Sequence, residues 1–314
     1  MIEILLLLAL PASGKSELRR YLEWLDPEVG RHSLGFGATV QVDDFPYVHL
    51  MRRLSREAVG LGLEPPFFAS DDGTFVDPRD WGTLIHLINE DFGFLTHRPV
   101  RETSAGRWLT DRLAAARNKS GGDPYFPSLE PHSRRRIELG IEAEAGVLFK
   151  EIAARRWEPG NTIVIEFARG VSAGSSLPPV PPMGYRHSLS LLAPEILERA
   201  RILYVRVTPE ESRRKNRERT VTGEEGSILY HGVPEQVMIS DYGGDDAVWL
   251  MDSATRPGTI DVVSGSDTYQ VPAAVFDNSS DLTSFLRSEP EYWDAKDLAA
   301  LQNRLEAAFG LLRP

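Results

Sequence analysis

The amino-acid sequence predicts an α/β fold, a mostly parallel five-stranded sheet with helices at its crossovers. Three observations lead there. Short β-rich runs alternate with helical stretches along the 314-residue chain, the pattern of parallel strands joined by crossover helices. The first run, residues 2–8, is apolar apart from Glu3 and leads into a glycine turn and a charged helical stretch. Charged or amide residues stand at or soon after the ends of four of the five runs, and ligands of open α/β sheets collect outside the carboxyl ends of the strands. The runs are residues 2–8, 38–42, 162–166, 202–207 and 273–276.

After the first run, residues 9–16 read Ala-Leu-Pro-Ala-Ser-Gly-Lys-Ser. Strand, glycine turn and Lys-Ser in that order are what a phosphate-binding loop requires. The backbone N–H groups from Ala12, Ser13 and Gly14 to Lys15, Ser16 and Glu17 would cradle phosphates at the start of a helix over residues 16–25. Lys15 would reach the β- and γ-phosphates, and the Ser16 hydroxyl would join a Mg²⁺ shell. Ala9 stands where G-x-x-x-x-G-K-[ST] has its first glycine, so that position must fit a methyl group. The bland alternative is a chance Gly-Lys-Ser at a helix start.

The first run is too short for a secretion signal, and Glu3 sits where such a signal carries basic residues. No stretch approaches the ~18 apolar residues of a membrane span, so the expectation is a soluble, cytoplasmic chain with no membrane partner. With 41% hydrophobic residues the chain can bury one large core or two modest ones. Zero cysteines exclude disulfides, thiolate metal sites and cysteine nucleophiles. A formal net charge of −11 disfavours sequence-independent binding to nucleic acid, which draws its affinity from Lys and Arg. The seven histidines lack metal-ligand spacing.

Asp43 and Asp44 follow the second run, Glu166 ends the third with Arg169 close behind, and Asp277 and Asn278 follow the fifth. Carboxylates there can take a proton from a substrate hydroxyl or hold Mg²⁺; the competing account is ordinary turn polarity. After the fourth run, Thr208-Pro209-Glu210-Glu211 reads as a helix start with Thr208 as N-cap and Glu211 completing a capping box. That helix carries Arg213, Arg214, Lys215, Arg217 and Arg219. Spacing puts Arg213 and Arg217, or Arg214 and Arg217, on one face able to clamp a phosphoryl group. A solvated basic helix paired with its own Glu210, Glu211 and Glu218 is the alternative.

About 120 residues separate the second and third runs, far more than the dozen or so a crossover needs. Residues 50–158 are therefore expected to form a helical insertion, with helices over 81–94, 105–118 and 132–157. Its Arg98, Arg101 and Arg134-Arg135-Arg136 suit either an anionic acceptor or solvated faces. Residues 170–184 are proline-rich and predict a stiff loop, residues 188–200 a helix, and residues 289–312 an amphipathic helix packed on the core. Glycines in 223–244 suit hinges of a lid spanning 209–245.

Taken together, Leu-Pro-Ala-Ser-Gly-Lys-Ser, Val-Asp-Asp, Leu-Tyr-Val-Arg-Val-Thr-Pro-Glu-Glu-Ser-Arg-Arg-Lys-Asn-Arg and Val-Phe-Asp-Asn-Ser resemble the P-loop kinases. These include zeta-toxin-like kinases, polynucleotide 5′-hydroxyl kinases, adenylylsulfate kinase and nucleoside or nucleotide kinases. The resemblance covers about a third of the chain. It implies a three-layer α/β/α P-loop NTPase fold with ATP or GTP and Mg²⁺, and an acid at Asp43 or Asp44 that deprotonates the acceptor hydroxyl. It further implies Asp43 and Glu166 near the metal beside Ser16, and Arg169 and Arg53 at the acceptor. Arg213 and Arg217 would sit at the γ-phosphoryl, Arg214 at the nucleotide, and Asp277 and Asn278 near the adenine. The insertion falls where such kinases carry the acceptor-binding module.

Two departures limit the resemblance. Phe45-Pro46-Tyr47 stands where polynucleotide kinases place an arginine after the paired aspartates, with Arg52 and Arg53 only later. Glu166 replaces the Walker-B aspartate. The function expected is an ATP-dependent kinase acting on a hydroxyl of a small nucleoside-, nucleotide- or sugar-like metabolite. The alternatives are a polynucleotide 5′-hydroxyl kinase and a nucleotide-binding switch without turnover.

Overall fold

A computed structural model describes residues 1–101, 104–221 and 232–313, the backbone alone at 219–221. The chain divides into two compact units, one of residues Met1–Gln41, Glu158–Val180 and Gly184–Pro314, the other of Val42–Trp157 and Pro181–Met183.

The first unit is an α/β layer structure. Its sheet comprises β1 (Ile4–Leu8), β2 (Thr39–Asp43, whose last two residues belong to the second unit), β3 (Thr162–Phe167), β4 (Ala200–Arg206), β5 (Thr259–Ser264) and β6 (Asp267–Asp277). Among the described residues the sheet has six strands in the order β2-β3-β1-β4-β6-β5. Every side chain of β1 is buried, as expected of a strand covered on both faces. It pairs in parallel with β3 and β4, and β4 pairs in parallel with β6.

The sixth strand corrects the five-stranded expectation. β5 runs antiparallel to β6, from Thr259 opposite Pro272 to Ser264 opposite Asp267, around a turn in which Gly265 takes φ +61°. Pro272 is why residues 273–276 alone read as a strand. A proline cannot donate to a ladder and marks a strand edge or start. Here it sits at a handover: residues 267–272 pair with β5, and residues 273–277 pair with β4.

Helix α1 (Lys15–Trp24) follows β1, and the chain ends in a long helix, Ala295–Leu312, capped by Asp294, whose side chain accepts from the Lys296 N–H at 2.8 Å. Leu18, Tyr21 and Leu22 of α1 meet Leu5, Leu7, Leu203, Val205 and Phe276 of the sheet, with Leu301, Leu305 and Phe309 of the last helix in the same cluster. The helix expected over 188–200 is shorter and earlier. It spans Gly184–Ser190, is followed by one turn at Pro194–Leu197, and gives way to β4 at Ala200. Pro194 cannot continue a helix, while Asp246 accepts from the Tyr185 and Arg186 N–H groups at 2.6 and 2.9 Å and fixes the early start.

The second unit is helical. It holds α2 (Phe45–Gly60), α3 (Asp80–Thr96), α4 (Ala105–Lys119), α5 (Pro131–Gly140) and α6 (Glu142–Ala154). The first of these lay outside the expected helices, although it buries Tyr47, Leu50, Met51, Leu54 and Ala58 at helical spacing. The single helix expected over 132–157 is two, broken at Gly140 and Ile141. A Cβ on Gly140 would lie 2.5 Å from the Glu57 carboxylate, and one on Gly106 would lie 2.0 Å from the Glu138 carbonyl oxygen. These close approaches explain the glycines.

A buried polar fastener joins the helices of this unit. Tyr47 donates to Asp91 at 2.8 Å, and Arg112 donates to the Tyr47 hydroxyl at 2.9 Å, to Asp91 at 2.7 Å and to Glu90 at 2.6 Å. Burial and the Asp91 carboxylate push the Tyr47 hydroxyl well above its ordinary range, with Arg112 opposing them, so it acts as a donor. Among the described residues no helix is long and apolar enough to cross a membrane.

Candidate phosphate-binding loop

Residues 9–14 turn the chain from β1 into α1 with two left-handed residues, Ala12 at φ +55° and Gly14 at φ +100°. Gly14 is required twice over. Its φ suits glycine, and a Cβ there would lie 2.3 Å from Thr283 Oγ1 and 2.6 Å from Asn278 Nδ2. Ala9, at the position of the missing motif glycine, is fully buried in the core cluster of the sheet and α1. Its methyl group is therefore accommodated inward.

The carbonyl groups of the loop are held by protein donors. Ala9 O accepts from Tyr185 OH at 2.9 Å and from Lys15 Nζ at 3.3 Å. Leu10 O accepts from Ser13 Oγ at 2.5 Å, Pro11 O from Ser212 Oγ at 2.7 Å, and Ser13 O from Asn278 Nδ2 at 2.8 Å. Gly14 O takes the first helical bond, from the Leu18 N–H at 2.9 Å. The N–H groups of Lys15, Ser16 and Glu17 open the helix, where no intrahelical acceptor precedes them, and the helix dipole adds a partial positive charge.

Glu166 comes next to this turn through the register that sets it opposite Leu7. Its carboxylate lies 4.0 Å from Lys15 Nζ and 3.4 Å from Arg19. Lys15 and Ser16 are themselves buried. The Glu17 side chain is fully buried and accepts from Arg287 Nε at 2.8 Å. Arg169 is only 2% exposed. It donates to Ser188 Oγ at 3.1 Å and to Ala168 O at 2.6 Å, over the Phe167 ring.

At the end of β6, Asp277 is exposed and accepts from the Ser279 N–H at 3.0 Å. Hydrogen bonds from Ser279, helped by Arg206, hold its carboxyl below the usual range. Asn278 is fully buried.

Helix α7 (Gly184–Ser190) supplies Tyr185, and α8 (Pro209–Val221) supplies Ser212. Thr208 Oγ1 accepts from the Glu211 N–H at 3.2 Å, as the capping pattern predicts. The basic residues of α8 carry carboxylate partners: Arg213 with Glu210 at 3.1 Å, Arg214 with Glu211 at 2.6 Å and with Glu218, and Arg217 with Glu235 at 3.1 Å. Lys215 is 1% exposed and pairs with Asp281 at 2.9 Å. The Arg219 side chain and residues 222–231 of the expected lid lie outside the described residues.

Asp43, Asp44 and Arg53 belong to the second unit. Asp43 accepts from the Phe45 N–H at 3.1 Å, and Asp44 is a buried residue that starts α2, its carbonyl accepting from Val48 at 3.3 Å. Arg53 bridges Glu57 at 2.5 Å and Glu144 at 3.1 Å. Of the triple arginine, Arg134 bridges Asp111 and Glu138. With Arg107 and Arg135 it lines an open cavity of about 530 Å³.

No match to any family model, curated protein or solved structure was found. The loop must therefore be read from its own atoms. Among the described residues no group of three or more His, Asp and Glu side chains is placed to hold a metal ion. Ser16 and Glu166 are oxygen donors of the kind a hard divalent cation accepts as part of a shell completed by phosphate and water. Sequence reasoning missed Tyr185, Ser212 and Thr283, whose only link to the loop is spatial.

Proposed function

We infer that this chain is an ATP-dependent phosphotransferase that moves a γ-phosphoryl group to a hydroxyl of a small nucleoside-, nucleotide- or sugar-like metabolite. One observation carries the reading. The loop between β1 and α1 turns its carbonyl groups to protein donors and opens a helix with Lys15 at its first position. A turn built this way offers N–H groups and a cation, the surroundings of an anion.

The residues then have distinct tasks. The first-turn N–H groups bind phosphate oxygens, and Lys15 offsets the charge that gathers on the transferring group. Glu166 holds Lys15 and Arg19 as cations beside the loop. Mg²⁺, held in part by Ser16 and Glu166, supplies further neutralisation of the phosphates when bound. Asp43 or Asp44, at the carboxyl end of β2, takes the proton of the acceptor hydroxyl.

A nucleotide-binding protein without turnover is the second reading, favoured by α8, where Arg213, Arg214 and Arg217 each hold a carboxylate. ADP release with Mg²⁺ and ATP, measured over nucleosides, nucleotides, sugars and 5′-hydroxyl oligonucleotides, separates the two. Kinase activity gives release that depends on one acceptor class and is lost in Asp43→Asn or Asp44→Asn with ATP binding kept. ATP binding with no acceptor dependence favours the second reading.

A further inference from the structure

We propose that Asn278 and Thr283 are positioning residues that impose the backbone of the phosphate loop, and that the base of a nucleotide is read elsewhere. This rests on the phosphate-loop reading above. Every polar group of Asn278 is engaged within the chain. Its amide donates to Ser13 O and to Thr283 Oγ1, both at 2.8 Å, and its side-chain oxygen accepts from the Leu282 N–H at 2.7 Å. Its backbone N–H donates to Arg206 O at 2.9 Å, and its carbonyl accepts from Asp281 at 3.1 Å. With the residue fully buried, no donor or acceptor remains to recognise a purine.

What the clamp does follows from the planarity of the peptide group. In a trans peptide the C=O of one residue and the N–H of the next point in opposite directions. Pulling Ser13 O toward Asn278 therefore aims the Gly14 N–H away from it. By the same rule Ser212, holding Pro11 O, aims the Ala12 N–H, and Tyr185, holding Ala9 O, aims the Leu10 N–H. Three remote elements thus set three peptide planes of one short turn. The absent side chain of Gly14 lets Asn278 and Thr283 approach closely enough to do so.

The clamp is also tied to α8. Asp281, at φ +55°, lies between Asn278 and Thr283 in sequence and accepts from Lys215 at 2.9 Å and from Ser284 Oγ at 2.8 Å. Ser212 and Lys215, three residues apart and both buried, anchor one helix to the loop and to the segment that clamps it.

The test is affinity for ATP, GTP and inorganic tripolyphosphate, measured by calorimetry on the full chain, wild type against Asn278→Ala and Thr283→Val, with circular dichroism as the fold control. A positioning role lowers all three affinities by the same factor, about tenfold or more, because the shared phosphate site is misaligned. Thr283→Ser, which keeps the hydroxyl, restores them. If Asn278→Ala unfolds, Thr283→Val, which deletes only the hydroxyl that holds the amide, carries the comparison. Loss confined to ATP, with tripolyphosphate unaffected, would assign Asn278 to base recognition and overturn the inference. Unchanged affinities in folded variants would overturn it too, leaving the phosphate-loop reading standing. A wild-type protein that binds none of the three overturns that reading itself.

Discussion

Gly14 and Glu166 show how much of this site depends on single atoms. Gly14→Ala would combine a left-handed alanine, which costs about 1–2 kcal/mol, with a Cβ driven against Thr283 and Asn278. The expected result is a lower melting temperature together with lost phosphate affinity, read by thermal denaturation and ATP titration. Glu166→Gln keeps the shape but removes the charge shared by Lys15 and Arg19. Affinity for metal-free ATP should hold or rise, because a negative charge beside the phosphates is gone, while turnover with Mg²⁺ falls by about tenfold to a hundredfold as the cation loses an oxygen ligand. A variant that turns over at the wild-type rate would remove Glu166 from the chemistry. At this scale the turn and helix start were readable where their residues are contiguous, as in Ser13-Gly14-Lys15-Ser16. The sequence was silent on Tyr185 and Ser212, since a hydrogen bond from a residue 176 or 201 positions away leaves no local pattern, and on Thr283, which is tied to the loop through the Asn278 amide.

Elements follow the same division between local and remote causes. Strands β1, β3 and β4 were legible from apolar runs because both faces are covered, and the last helix from its leucine spacing. Leu305, only 1% exposed in the cluster of sheet and helices, should cost about 2–5 kcal/mol on truncation to alanine, seen as a lowered denaturation midpoint. Strand β5 went unread although residues 259–263 are rich in β-branched residues, because Pro272 hid the partner that makes the hairpin. The break between α5 and α6 was equally hidden: Gly140 is tolerated within a helix pattern, and only the approach of Glu57 shows why it is there.

Asp80, at the start of α3, gives this scale a pH signature. It is fully buried, the Arg117 guanidinium lies 3.2 Å away as an ion pair, Thr83 donates to it at 2.9 Å, and Asp77 adds a like charge. Burial outweighs the charge of Arg117 and the hydrogen bond from Thr83 and pushes its carboxyl up to about 6. An acid raised from an unfolded value of about 3.9 stabilises the fold fully below that value and loses the stabilisation as pH rises through 6, on the order of 3 kcal/mol in all. Wild-type stability measured against Asp80→Asn should therefore improve as pH falls from 7 to 4. A constant difference across that range would contradict the assignment.

For the whole molecule, 46 acidic and 35 basic residues leave a chain of net negative charge, and Arg213, Arg214 and Arg217 of α8 have carboxylate partners. Such a balance disfavours sequence-independent binding to polyanions, and the ligand proposed is a small anion held at one site. The most direct test of that claim is an ATP titration of wild type and Lys15→Ala by calorimetry, with Mg²⁺ present. One saturable site is expected in the wild type, weakened in Lys15→Ala by a hundredfold or more, roughly 2.7 kcal/mol, in a variant that still folds. Equal binding by both proteins, or none by the wild type, would contradict it.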